Sequence, residues 1–255
     1  VRAASVALAR RALRNSFRKP QFLAPLVLFP TLFLAVNVGG LERTTSLEGF
    51  PAVDGFLDFQ LAAAITQSLL LGGVSAGIAA ALDIEGGFFD RLVASPTPRL
   101  AIVLGRVLAA SVIAVLQVTY FLVLGAIFGA SIKGGAFGVL CVLAIGIVAG
   151  TGFGALGVMI ALRARNASTV QGIFPLVFVV LFASSAFFPA DLLSAPADVI
   201  AVYNPLSYIA DGMRQPIAFG NELGPLLKGL AAAAGVAVVA TGLSVLALRG
   251  RLRQA

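Results

Sequence analysis

Histidine is absent from the 255 residues, which excludes Ser-His-Asp and Cys-His catalysis, His-ligated zinc and an axial His on haem. A single cysteine, Cys141, excludes an intramolecular disulfide and a CxxC site. It lies in an apolar run and reads as a small buried hydrophobe. Charge is scarce as well, at 11% of residues against about 25% in an ordinary soluble domain. No G-x-x-x-x-G-K-[ST] loop occurs, so nothing in the chain is built to cradle a nucleotide phosphate. In their place stand 59% hydrophobic residues and a mean hydropathy of +1.01. A water-soluble fold of this size needs more polar residues to cover its surface, so the chain reads as an integral membrane protein.

A hydrocarbon core of about 30 Å takes roughly 20 apolar residues per helix. Six stretches qualify, at about 22–40, 57–82, 100–130, 136–162, 169–188 and 225–248. Continuous runs of this length predict helices, since a membrane barrel would alternate in segments of about 10 residues. The first run follows a basic leader, yet it is longer than a signal-peptide core and reads as a retained span. Between the spans no stretch is long enough for an independent soluble domain. With both termini inside, 14 of 18 Lys and Arg fall on the inner side, and 8 of 11 Asp and Glu on the outer. That asymmetry predicts an all-α, six-span protein, N-in and C-in. The net charge of +7 is thereby assigned to topology and not to nucleic acid.

Several segments carry more pattern than a span requires. Residues 1–21 form a basic amphipathic helix, with Val6, Ala9, Leu13 and Phe17 on one face and Arg10, Arg11, Arg14 and Arg18 around the rest. It is either a plain topology anchor on the inner leaflet or a helix that also touches a cytoplasmic partner. Residues 83–99 are the most charged internal segment, and predict a short surface helix capped by Asp83 and stopped by Ser95-Pro96-Thr97-Pro98. Gln60, Gln67 and Ser75 in the second span line a translocation path or bond between helices. Gly146, Gly150 and Gly154 make a small-residue face for packing within the chain or at a dimer seam, the former favoured, and Pro175 predicts a kink in the fifth span. Between residues 189 and 224 short re-entrant-type helices are expected at about 198–203 and 205–215, with Asn204 capping the second and Asp211 paired to Arg214. Asp58, Arg106 and Lys228 sit at span ends, where snorkelling accounts for them.

Glu85-Gly86, Arg91-Leu92, Ser95-Pro96 and Gly105-Arg106, in that order, resemble the cytoplasmic-loop signature of type-2 ATP-binding-cassette export permeases, in particular the bacterial daunorubicin-resistance-like branch. Asn204-Pro205-Leu206-Ser207-Tyr208, followed by Asp211 and Arg214, is similar to that family's segment before the last span. The resemblance covers nearly the whole chain as one transmembrane permease domain. It implies a pair of permease subunits, a homodimer or heterodimer, standing on two ATPase subunits that hold ATP and Mg, with no cofactor or metal in this chain. It implies that 83–99 is a coupling loop, with Asp83, Glu85, Gly86, Asp90, Arg91, Ser95, Pro96 and Arg99 at the ATPase. Arg10, Arg14, Phe17 and Arg18 would mark a connecting helix. Phe187, Phe188, Asn204, Pro205, Tyr208, Asp211 and Arg214 would form an external gate. The implied substrate is drug-, lipid- or glycan-like and amphipathic, moved across the cytoplasmic membrane of a bacterium. A gradient-driven carrier or channel, and a non-transporting membrane scaffold, are the competing readings. The absence of ionisable groups near span centres speaks against the carrier.

Overall fold

The computed structural model describes residues 1–252, the side chains of Asp191 and Leu252 excepted. Arg253, counted above among the basic residues, lies outside the described residues. Every regular element is helical. In chain order they are α1 (Arg2–Phe17), α2 (Pro20–Leu41), α3 (Phe56–Glu85), α4 (Phe88–Ala94), α5 (Arg99–Ile127), α6 (Gly135–Ala164), α7 (Ala167–Gly172), α8 (Phe174–Phe182), α9 (Ala197–Tyr203), α10 (Pro205–Arg214) and α11 (Leu223–Leu252). A π-type turn at Gln215–Phe219 follows α10. The chain is an all-α polytopic membrane protein.

Five of these helices, α2, α3, α5, α6 and α11, are long and apolar enough to cross a bilayer. The fifth apolar stretch of the sequence is not one span-length helix. It breaks at Ile173, between Gly172 and Pro175, and ends at Phe182. Pro175 lacks an N–H and fits only the first turn of a new helix. The 16 residues of Ala167–Phe182 reach about 24 Å, short of the hydrocarbon core. The chain then runs on irregularly and brings Leu192 against Gly49 at the far end of the bundle.

The two ends of the bundle differ. One gathers α1, α4, the start of α7 and the last turn of α11, and holds most of the arginines; Arg251 meets Asp90 there. At the far end, the Lys133 and Gly134 amides donate to the Ile217 and Pro216 carbonyls, and Asn221 donates to the Gly134 carbonyl. There Lys133 also pairs with Asp54 at 3.0 Å and holds its carboxyl below the usual carboxylate range. Asp58 does not snorkel: it is buried and accepts from the Ser131 amide and hydroxyl.

α3 is the most enclosed of the long helices. It meets α6 backbone to backbone. A Cβ on Gly73 would stand 2.6 Å from the Phe153 carbonyl oxygen, one on Gly77 would stand 2.8 Å from the Gly157 oxygen, and one on Gly157 would strike the Gly73 oxygen. On another face of α6, Gly146, Gly150 and Gly154 receive Val118, Ala114 and Ala110 of α5. That stripe is therefore used within the chain. Small residues do this work because lipid offers no hydrophobic drive to press helices together, leaving close packing as the gain. Large apolar residues of α2 and α11, such as Leu32, Val36, Val238 and Leu246, remain exposed, as lipid-facing positions would.

α2 is attached to α3 through polar groups. Pro30 has no N–H to offer the Leu26 carbonyl, and Ser68 Oγ of α3 donates to it at 2.6 Å. Gln117 of α5 donates to Ser68 Oγ and the Ser68 carbonyl at 2.9 and 2.7 Å. A carbonyl orphaned by proline is thus satisfied inside the bundle, as a water-free interior requires.

Two outcomes test this arrangement. Gly157→Ala forces α3 and α6 apart and should cost about 1–3 kcal/mol, as overpacking does, read as a lower unfolding midpoint in detergent. Gly235→Ala, where nothing lies within 4 Å of the added Cβ, should be neutral. In sealed membranes, cysteines at Thr45, Lys133 and Ser194 should react together with an impermeant reagent from one side, and those at Ala94 and Ala164 only from the other. Ser194 labelling with Ala94 would remove the sixth crossing.

Candidate functional site

The segment between α3 and α5 is built from two local devices. α3 stops at Gly86, and Gly87 adopts φ +67°, a left-handed conformation that glycine takes at no steric cost. α4 then runs for seven residues until Ser95 turns extended ahead of Pro96. Ser95 Oγ donates to the Leu92 carbonyl and shares a hydrogen bond with Thr97. The predicted surface helix is present, but Gly87 and not Asp83 stands at its N-cap. Asp83 lies in the last turn of α3, because the apolar run carries the helix past it.

Asp83 instead holds three elements together. Its carboxylate accepts two hydrogen bonds from Arg11 of α1, at 2.9 and 3.1 Å, and one from Arg106 of α5 at 2.6 Å. Arg106 is thus paired within the bundle, where snorkelling had been expected. Its neighbour Gly105 explains the rest of that motif: a Cβ there would stand 2.6 Å from Leu8 Cβ and 3.1 Å from the Ser5 carbonyl, so only glycine lets α1 lie this close. The Arg11 guanidinium also covers the Phe88 ring at 3.4 Å. Arg251 of α11 covers the Phe89 ring at 4.5 Å and reaches Asp90 at 3.4 Å. Phe89 itself is buried in a core with Ile84, Ile102, Val158 and Leu248. Glu85 Oε1 accepts from the Ala167 amide at 2.8 Å, fixing the start of α7 to the end of α3. α4 is therefore gripped from α1, α3 and α11. Its outer face presents Asp90 and Arg91, and Arg99 opens α5 beside it, all exposed. Among the described residues, the Arg91 and Arg99 guanidinium groups have no ion pair or hydrogen bond.

The N-terminal helix divides its circumference differently from the sequence expectation. Ser5 and Ala9 are buried against α5, whereas Val6 and Phe17 are exposed. Arg10, Arg14 and Arg18 are exposed as well. The small residues bind the bundle, and the larger apolar ones are left for the membrane surface.

Between α9 and α10, Asn204 caps α10 by accepting from the Leu206 amide, with Pro205 in the first turn. Its amide donates to the Val180 and Ala183 carbonyls at the end of α8. α10 then climbs to the far end, a helix re-entering the bundle after α9. Arg214 is almost wholly buried. It pairs with Asp211, donates to the Phe59, Ser185 and Ala186 carbonyls, and lies 3.9 Å over the Phe59 ring. Phe187 is buried in an aromatic stack with Phe33 and Phe182, Phe188 is exposed, and Tyr208 donates to the Val202 carbonyl. All these residues meet at one end of the bundle.

The three positions proposed for a path separate. Ser75 donates to the Phe22 carbonyl and lines a cavity of about 570 Å³ between α2, α3, α7 and α8, with Gln21, Leu71 and Phe174. Gln60 and Gln67 are enclosed inside the bundle, and Gln67 has no partner for either amide atom. Sequence reasoning missed the Asp83–Arg11–Arg106 triad and the grip of Arg251. The available signal was Arg106 itself, seven residues inside a long apolar helix, where a cation requires a partner.

A family model described as ABC-2 type transporter matches residues 4–217. Proteins named "Putative transport permease ycf38" are similar as well. That of Cyanophora paradoxa is 25% identical over 213 residues, covering 81% of this chain and 71% of its own length. That of Porphyra purpurea is 25% identical, covering 82% and 72%.

Removing the charge at Asp83 leaves two arginines facing each other at the membrane boundary. Asp83→Asn should cost on the order of 3 kcal/mol, as when a buried pair loses one partner. Hydrogen exchange should rise across residues 2–17. Glu85→Gln, which keeps an acceptor for Ala167, should leave α1 protected.

Proposed function

The chain belongs to the ABC-2 type transporter family, and on that premise we propose that it is the membrane-spanning permease subunit of an ATP-driven exporter. Membership makes it a transport permease subunit and not a nucleotide-binding domain. The proposal adds its setting: two copies of a separate ABC ATPase that bind ATP and Mg, a second permease subunit, and a bacterial cytoplasmic membrane with the basic end facing the cytoplasm. The substrate class that fits is an amphipathic drug, lipid or glycan. The cavity beside Ser75 supports that class, since its walls are apolar apart from a few amide and hydroxyl groups.

The observation behind the coupling role is the position of α4. Gly86-Gly87 joins it to α3 and Ser95–Pro98 joins it to α5, so a displacement of α4 moves two spans. Phe89 is its anchor in the bundle, while Asp90, Arg91 and Arg99 point outward as a polar surface for an ATPase cleft. Arg11 and Arg251 extend the connection to α1 and α11. At the far end, the buried Arg214 would hold α3, the turn after α8 and α10 as one unit, which suits an exit gate that moves as a body.

Arg91 and Arg99 supply the cleanest test, because neither supports another part of this chain, whereas Glu85 does. Arg91→Ala with Arg99→Ala should insert and fold normally. Loss of a charge pair desolvated against a partner would cost about 2–5 kcal/mol. Transport and substrate-stimulated ATP hydrolysis by the assembled complex should fall accordingly, with the free ATPase unchanged. Lys133→Ala, an exposed pair at the far end, should be nearly neutral. Full transport by the double variant would remove these side chains from coupling, and transport surviving ATP depletion would replace the exporter reading with a gradient-driven carrier.

A further inference from the structure

The α6–α11 corner at the basic end has features that, Arg251 apart, neither coupling nor the substrate path uses. A cavity of about 290 Å³ lies between the C-terminal ends of the two helices, lined by Arg163, Arg165, Gly250 and Arg251. Arg163 and Arg165 are exposed. Arg251 is mostly buried, and its Nη1 nitrogen is enclosed with no hydrogen-bond acceptor. Asp90, at 3.4 Å from Arg251, is itself largely exposed to solvent.

Directly above, and sharing Leu246 with this cavity, an open face of α11 runs from Arg249 past Val245, Gly242 and Val238 to Ala237. Apart from Arg249 it is almost wholly apolar, and Val238 and Leu246 are exposed on it. From Arg251 to Ala237 the helix rises about 21 Å, enough to cross one leaflet of a core about 30 Å thick.

We propose that this corner binds one anionic phospholipid of the bilayer, its phosphate among Arg163, Arg165 and Arg251 and an acyl chain along the apolar face of α11. Charge complementarity selects the headgroup. The exposed apolar face leading away from it favours a lipid over a soluble anion, which would leave that face uncovered. Basic pockets between helices at a membrane face bind such headgroups, and each Lys or Arg there contributes about 1 kcal/mol. Arg251 also holds Asp90 and Phe89, so the bound phosphate sits one side chain away from α4.

The test uses the purified full chain in detergent, with native mass spectrometry of retained phosphatidylglycerol and phosphatidylcholine of matched acyl chains. The wild type should retain phosphatidylglycerol in preference. Arg163→Gln with Arg165→Gln should reduce that preference by about fivefold per arginine, the ratio equivalent to 1 kcal/mol. Gly242→Phe leaves every arginine in place, has open space at its Cβ and puts a ring where the acyl chain would lie, so retention should fall there too. That second variant decides the matter if the double variant does not fold. Equal retention of the two lipids by the wild type, or unchanged preference in both variants, would overturn the proposal. Displacement of the lipid by equimolar inorganic phosphate would assign the site to a soluble anion instead. No transport is measured, so a negative result leaves the exporter reading standing.

Discussion

The backbones of α3 and α6 touch at Gly73, Gly77 and Gly157, and the rest of the bundle is arranged around that contact. In water, large side chains bring helices together because burial releases solvent. Between lipid tails that drive is missing, and close packing of surfaces becomes the main gain. Glycine removes the spacer, so α3 and α6 form a thin, stiff centre. α5 then packs on the Gly146–Gly154 face, and α11 packs where Gly152 admits Ala237. α10 meets α11 at Gly212 and Gly229 by the same means. Each of these contacts is made at small residues.

A water-free interior also dictates where polar groups go. Apart from the enclosed Gln60 and Gln67, they are used within the bundle or moved to an end. Ser68 takes the carbonyl that Pro30 leaves free, Gln117 binds Ser68 in turn, and Ser244 donates to the Ala155 carbonyl. The charged groups lie near the two ends, in compact clusters that join elements distant in sequence. Asp83 gathers α1 and α5 onto α3 at one end. Arg214 gathers α3, the turn after α8 and α10 at the other. Each cluster ties other elements to α3, one of the two helices of that centre.

The design places α4 at a mechanical junction. Glycine frees its approach, proline fixes its exit, and an aromatic pair is held between two arginines from opposite ends of the chain. The outward face, with Asp90 and Arg91, stays exposed. With Arg251 shared between α4 and the corner proposed for an anionic lipid, membrane composition and partner docking would act on adjacent atoms.

Composition and hydropathy alone determined that this is a helical membrane protein, and basic asymmetry alone predicted which ends face together. Local turn chemistry was equally legible: Asn204-Pro205 announced the start of α10, and Ser95-Pro96 the end of α4, because capping and proline effects act over a few residues. The tertiary structure decided what depends on distant neighbours. The stretch 169–188 is apolar enough for a span, yet it breaks at Ile173 because Pro175 cannot continue a helix. Asp83 looked like a loop cap until α1 and α5 brought Arg11 and Arg106 to it. Arg214 read as one half of an i,i+3 pair with Asp211, and the structure adds the Phe59, Ser185 and Ala186 carbonyls around it. A charge in an apolar chain shows from sequence only that it requires a partner; which one it finds is settled by packing, since the partner lies dozens of residues away.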